Sequence, residues 1–142
     1  MTASSDLVHA TAVRHADKAI LLTGRSGSGK SSLALQLMAA GAGLIADDKV
    51  ILTGGLDGVM AACPPQIAGM IEARGVGILS CPPADPAPVA LVVDMDQAET
   101  VRMPPHRTVT LLGHNFPLLW HVCSPHFPAT LLQLIRYGRS TR

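Results

Sequence analysis

Residues 24–31 read Gly-Arg-Ser-Gly-Ser-Gly-Lys-Ser, and Ser32 follows. The spacing is GxxxxGK[ST], a loop whose chemistry is phosphate binding. Its glycines let the backbone curl so that successive N–H groups converge on phosphate oxygens. Lys30 supplies a point charge for β- and γ-phosphates, and Ser31 offers a hydroxyl to Mg²⁺. A helix starting at the loop adds the positive end of its dipole. Gly24, Arg25, Ser26, Gly27, Ser28, Gly29, Lys30, Ser31 and Ser32 therefore form the candidate nucleotide-binding set, with a nucleotide and Mg²⁺ as the ligands. The plainer alternative is a Gly/Ser turn that caps a helix.

A phosphate loop does not name the phosphate acceptor, because kinases, GTPases and motors share it. No adequate guanine-specific NKxD sequence is present, and 142 residues leave little room for a motor's second lobe. Asp47 and Asp48 lie sixteen residues or so beyond the loop, at the end of the next expected strand. Ligands of open α/β sheets sit at strand C-termini, so both carboxylates are expected to face the phosphates. One can hold Mg²⁺ or its water while the other accepts the proton of an attacking hydroxyl. Glu72 and Arg74 stand in the run Glu-Ala-Arg-Gly-Val-Gly. Glu72 lies in an apolar, glycine-spaced stretch and needs a partner, a metal or a substrate. Arg74 could neutralise charge on a phosphoryl group in transfer. His9, taken alone, reads as a hydrogen-bonded core residue of a strand before it reads as a catalyst. His15, His106, His121 and His126 read as surface or loop residues without metal-ligand spacing. Cys63 and Cys81 stand next to prolines and carry no sign of reactivity.

These residues need elements to hold them. Residues 8–13 are expected to form a strand around His9, with a polar turn at 14–18. The apolar run at 19–23 looks like a strand buried on both faces of a parallel sheet. Residues 33–40 are rich in Ala and Leu and form a helix that Gly41 and Gly43 stop. Residues 44–46 are a further buried strand, and 50–53 and 59–62 form a hairpin turned by Gly54-Gly55 and Asp57-Gly58. Residues 67–79 are apolar with three glycines, and 81–88 contain four prolines and form a loop. Strands are expected at 87–94, 108–112 and 117–122, with a short extended piece at Val101 and a closing helix at 125–136. The order is that of an α/β domain: a P-loop mixed β-sheet core with flanking helices, one catalytic domain over 1–142.

Composition removes several function classes. About 48% of residues are hydrophobic and 15% charged, against about a quarter charged in an average soluble domain. Net charge is +1, no basic run occurs, and aromatics make up 3%. No nucleic-acid partner is expected, since that needs a basic stripe or stacking platforms. No apolar run reaches the roughly 18 residues of a membrane span. Residues 1–6 are polar and lack the pattern of a secretion signal. Three widely spaced cysteines, Cys63, Cys81 and Cys123, fit reduced thiols and a cytoplasmic setting.

Several of these features together resemble the C-terminal catalytic domain of HPr kinase/phosphorylase. They are His9 fifteen residues before the loop, GRSGSGKS at 24–31, LIADDKV at 44–50 and IEARGVGI at 71–78. The last is similar to that family's E-I-R-G-[LV]-G-I signature, which is more distinctive than a phosphate loop. The resemblance covers residues 8–80 closely; VALVVD at 89–94 and VTLLGHN at 109–115 match it loosely. It implies a core similar to the nucleotide-binding core of phosphoenolpyruvate carboxykinase. It also implies phosphoryl transfer from ATP to a serine of HPr, the small phosphocarrier of the bacterial phosphotransferase system, and removal of that phosphate by phosphorolysis. By the resemblance, His9, Lys30, Asp48, Asp47 and Arg74 are active-site residues, with Asp48 the base and Asp47 assisting. Ser31 and Glu72 are implied as Mg²⁺ ligands, and a homo-oligomer, a hexamer, is implied as the assembly.

The sequence departs from the family in three places. The chain starts just before the His9 strand, which resembles a short proteobacterial form without the N-terminal domain. The proline-rich 81–88 stands where the family has a flexible glycine-rich segment. The family's late G-R-N appears here as Gly113-His114-Asn115, which bears on the phosphorylase direction. Two other readings remain beside this one: a P-loop kinase of small molecules, and an ATP-sensing module without phosphotransfer.

Overall fold

A computed structural model describes residues 4–140; residues 1–3, part of the polar N-terminal stretch, lie outside them. The chain opens with β1 (Ser4–Val8), β2 (Ala10–His15) and β3 (Lys18–Thr23). Residues 8–13, expected as one strand, are thus split at His9. The split follows from pairing. Val8 is opposite Val50 of β5 (Val50–Gly54), whereas Ala10 is opposite Thr23 of β3. The Ala10 N–H crosses the gap to the carbonyl of Asp48 at 3.2 Å.

The link from β2 to β3 is shorter than the expected turn. His15 pairs with Lys18, and only Ala16 (φ 51°) and Asp17 (φ 62°) turn the chain. Two left-handed residues make the primed turn whose twist suits a hairpin. An alanine there carries a steric penalty of about 1 kcal/mol that glycine lacks. Ala16→Gly is therefore expected to raise the melting temperature by about 3 °C in a thermal scan.

After the phosphate loop come α1 (Lys30–Ala39), β4 (Gly43–Ala46), β5, β6 (Val59–Ala62), the small hairpin β7 (Met70–Ala73) and β8 (Gly77–Ser80), then β9 (Ala87–Ala98), β10 (Arg107–Leu111), β11 (His114–His121) and α2 (Phe127–Tyr137). The main sheet runs β1-β5-β6-β9-β3-β2-β4, with β11 beside β9 and β10 outside it. It is mixed: β3 is parallel to β9 on one side and antiparallel to β2 on the other. The apolar run at 19–23 signals burial on both faces, which either kind of neighbour permits.

That double burial divides the core by alternation. Ile20 and Leu22 face Leu33, Leu37, Phe127, Leu131 and Ile135 of the helices. Ala19 and Leu21 belong to the opposite cluster with Leu52, Val59 and Phe116. Both helices thus pack on one face, and strands cover the other. Pro128 sits in the first turn of α2, which starts at Phe127 and not at 125. Val101 lies outside any strand. β9 runs four residues beyond the expected 94, because β11 continues beside it as far as the His121–Ala98 pair.

Beyond the end of β9, Glu99 ties the 99–107 loop to the sheet. It accepts from the Thr100 and Val101 N–H groups and pairs with Arg107, whose guanidinium lies 3.6 Å from the Trp120 ring centre. Desolvation pushes the Glu99 carboxyl up, but the hydrogen bonds from Val101, Arg107 and Thr100 outweigh it and hold the pKa below the ordinary value. A lowered folded-state pKa gives stability that is present above about pH 4.3 and is lost as pH falls through the folded value. Glu99→Gln is expected to flatten the acid limb of a stability-versus-pH curve measured by denaturant titration below that pH.

The three cysteines are free thiols, and burial raises the pKa of Cys63 and Cys81, which disfavours the reactive thiolate. Among the described residues no helix is long and apolar enough to cross a membrane.

Candidate functional site

The phosphate loop leaves the C-terminal end of β3 and wraps into the start of α1. Gly24 (φ 139°) cannot be replaced without a clash, since a Cβ there would lie 2.7 Å from Ser28 Oγ and 3.2 Å from Met95 Cβ. Lys30 is buried, and its ammonium donates to the carbonyls of Gly24 at 2.7 Å and Arg25 at 3.0 Å. An ammonium has three N–H donors, so one is left for a ligand.

Asp47 is the hub. It directly follows β4, is 7% exposed, and takes three protein donors. Its Oδ1 accepts from the Ser31 hydroxyl at 2.6 Å and the Thr11 hydroxyl at 2.8 Å, and its Oδ2 accepts from the Glu72 N–H at 3.0 Å. One carboxylate thereby joins the phosphate loop, β2 and the β7–β8 hairpin. Thr11 carried no signal in the sequence beyond its place in a strand. It is fully buried, and its oxygen also receives the Asp48 N–H at 3.4 Å.

Asp48 differs from its neighbour in every respect. It is exposed, it is left-handed (φ 74°), and its Oδ1 lies 3.1 Å from His9 Nδ1. Aspartate tolerates this region better than most residues, and such backbone concentrates at functional sites. His9 is not a core strand residue. It occupies the break between β1 and β2 with its ring half exposed, which is what lets it meet Asp48.

Residues 67–79, whose organisation the sequence left open, form the β7–β8 hairpin, with Glu72 opposite Ile78. Its Arg74 reaches back over the phosphate loop, where Nη2 lies 3.8 Å from the point a Cβ on Gly27 would occupy. The result is a cleft of about 160 Å³ lined by Thr11, Ser26, Gly27, Gly29, Lys30, Ser31, Ser32, Asp47, Asp48, Glu72 and Arg74. This is below the roughly 300 Å³ of a pocket that encloses a whole ligand, so it suits a phosphate chain.

Of the candidate residues, Gly24, Arg25, Ser28 and His9 stand behind or beside this lining and the others form it. His114 is remote from it, with Nε2 2.7 Å from the Gly55 carbonyl at the far end of β5. Asp96, which the sequence did not single out, touches the loop: both its oxygens lie 3.1 Å from the Arg25 N–H.

The residues present fit a magnesium–phosphate group. The Ser31 proton is committed to Asp47, which leaves the oxygen's lone pairs available to a cation. Glu72 adds a carboxylate on the same cleft. Among the described residues no three His, Cys, Asp or Glu side chains converge, and Mg²⁺ characteristically takes only one or two protein ligands beside phosphates and water.

Fold and cleft together define an α/β protein with a P-loop beside an acid–histidine pair. The family profile described as HPr Serine kinase C-terminal domain matches residues 1–83, and the chain belongs to that family. The HPr kinase/phosphorylase of Bordetella petrii is 48% identical over 61 residues, which are 42% of this chain and 20% of that protein. That of Burkholderia cenocepacia is 49% identical over 61 residues, 42% of this chain and 19% of the relative. The match thus spans about a fifth of the length of these curated relatives. The solved structure of the Hpr(Ser) kinase/phosphatase from Coxiella burnetii superposes with a TM-score of 0.76 at 26% identity, covering 92% of this chain and 88% of that one.

Proposed function

We propose that this chain is a single catalytic domain that transfers the γ-phosphoryl group of ATP to a serine of an HPr-type phosphocarrier protein. The observation that carries the reading is the Asp47 carboxylate, which binds Ser31, Thr11 and Glu72 into one constellation. Lys30 and the loop N–H groups hold the β- and γ-phosphates, and Arg74 balances charge that spreads over the transferring group. Mg²⁺, held by Ser31 and Glu72, would supply charge neutralisation between the phosphates.

Asp47 has both oxygens committed to protein donors, so the base falls to Asp48. The seryl hydroxyl attacks phosphorus, its O–H bond breaks, and Asp48 takes the proton as ADP departs. His9 holds the Asp48 carboxylate in place during transfer. In the reverse direction inorganic phosphate would attack the phosphoserine, and the protonated Asp48 would return the proton to the serine oxygen, giving pyrophosphate.

The acceptor is read as a protein because the hairpin that bears Glu72 and Arg74 also exposes Val76 (78%) and Ile78 (64%) beside the cleft. A metabolite kinase would enclose its acceptor, whereas an open apolar edge suits a docked protein or sister subunit. The test is incubation with γ-labelled ATP, Mg²⁺ and either HPr or a mixed metabolite pool. Label on HPr serine supports this reading, and label entering metabolites alone supports the small-molecule kinase.

A further inference from the structure

We propose that Asp96 is a positioning residue for the phosphate loop, holding its entry in the curled shape that a nucleotide needs. The proposal rests on the reading of residues 24–31 as a nucleotide site. Three observations place Asp96 there. β9 runs parallel to β3 with Asp94 opposite Thr23, so its end emerges beside the first residues of the loop. Both Asp96 oxygens accept the Arg25 N–H at 3.1 Å, and Oδ1 lies 3.6 Å from Arg25 Nε. The Asp96 N–H in turn donates to Asp94 Oδ1 at 2.9 Å, which fixes the local backbone.

Met95, between the two acids, is the floor of the loop. It is 7% exposed. A Cβ on Gly24 would meet its Cβ at 3.2 Å, and a Cβ on Gly29 would meet its Cε at 3.5 Å. The first and last glycines of the motif therefore rest on Met95, while Asp96 holds the N–H that follows the first. A loop set in its bound shape loses less freedom when a ligand arrives.

Electrostatics gives the test its sign. A carboxylate beside a phosphate chain repels it, so removing a bystander acid would tighten nucleotide binding. Removing a positioning acid loosens it. Asp96 is exposed, with its side chain 36% accessible, so truncation leaves no sealed cavity.

Calorimetric titration of the full chain with Mg-ATP is the experiment. Asp96→Ala is expected to raise Kd about tenfold, the loss of one charge-assisted hydrogen bond. Asp96→Asn keeps one accepting oxygen without the charge and is expected to stay within about threefold of the parent. Tighter or unchanged binding by Asp96→Ala overturns the proposal, and so does an equal loss in both variants, which would make charge and not geometry the cause. Hydrogen exchange at the Arg25 amide, measured without nucleotide, gives a second reading. It should quicken about tenfold in Asp96→Ala and not in Asp96→Asn. If the parent chain binds no ATP, the nucleotide reading fails. The amide exchange then still tells whether Asp96 holds the loop, and unchanged exchange in Asp96→Ala removes that too.

Discussion

Asp47→Ala is expected to cost about 3–5 kcal/mol of stability and to abolish phosphotransfer. The reason is the number of donors that lose their acceptor together. The Thr11 hydroxyl is fully buried, and the Ser31 hydroxyl and Glu72 N–H lie in the cleft wall. A buried donor left unpaired costs about 1–3 kcal/mol, and alanine orphans up to three. The loop also loses the bond that leaves the Ser31 lone pairs available to a cation, so the catalytic loss exceeds what unfolding accounts for. Asp47→Asn separates the two effects. Its amide oxygen can still accept from Ser31 and Thr11, but its NH₂ faces the Glu72 N–H donor to donor. Denaturant melts are expected to place it between the parent and the alanine variant, with the hairpin loosened and the loop kept. An alanine variant as stable as the parent would contradict the hub role.

Asp48→Asn is the second large effect and has the opposite profile. The turnover number is expected to fall about a thousandfold, within the range of general-base removal, while melting temperature and ATP affinity hold. Asparagine is nearly isosteric and is at ease at positive φ, so the backbone at φ 74° is kept. It can still accept a hydrogen bond from His9 but cannot take the seryl proton. Asp48→Ala is a poorer test, because it adds left-handed strain to the loss of the base. Steady-state kinetics with both variants check this. Equal losses in turnover and in ATP affinity would assign Asp48 to binding and not to proton transfer.

The site was legible in the sequence to different depths. The phosphate loop was fully so, because its chemistry fixes residue types at fixed spacing. The adjacent acids were visible as a pair, but their division was not. Which one is buried depends on Thr11 and Glu72 arriving from β2 and β7, and those contacts are long-range. His9 looked like a strand residue, since its neighbours alternate as a strand does. The break exists because Val8 and Ala10 pair with different strands, a fact of sheet order and not of local pattern.

The fold shows the same limit. The element order called for a mixed sheet and apolar runs marked β3 and β9 as buried, yet burial is blind to strand direction, so which neighbour of β3 runs antiparallel was hidden. The 67–79 stretch gave no period because its hairpin is short and faces solvent along one side, with glycines where the chain turns. Asp96 was missed for a related reason. Its role depends on β9 running on past the expected residue 94, and only the partner strand β11 reveals that.

The proposed reaction moves a phosphoryl group from ATP to a protein serine. The most direct measurement is intact-mass spectrometry of purified HPr after incubation with the chain, ATP and Mg²⁺, followed by site mapping. The parent chain is expected to add one phosphoryl group to a serine, Lys30→Ala none, and Asp48→Asn to add it about a thousandfold more slowly. Unmodified HPr with a folded, ATP-binding parent chain, or equal modification by the Asp48→Asn protein, would contradict it.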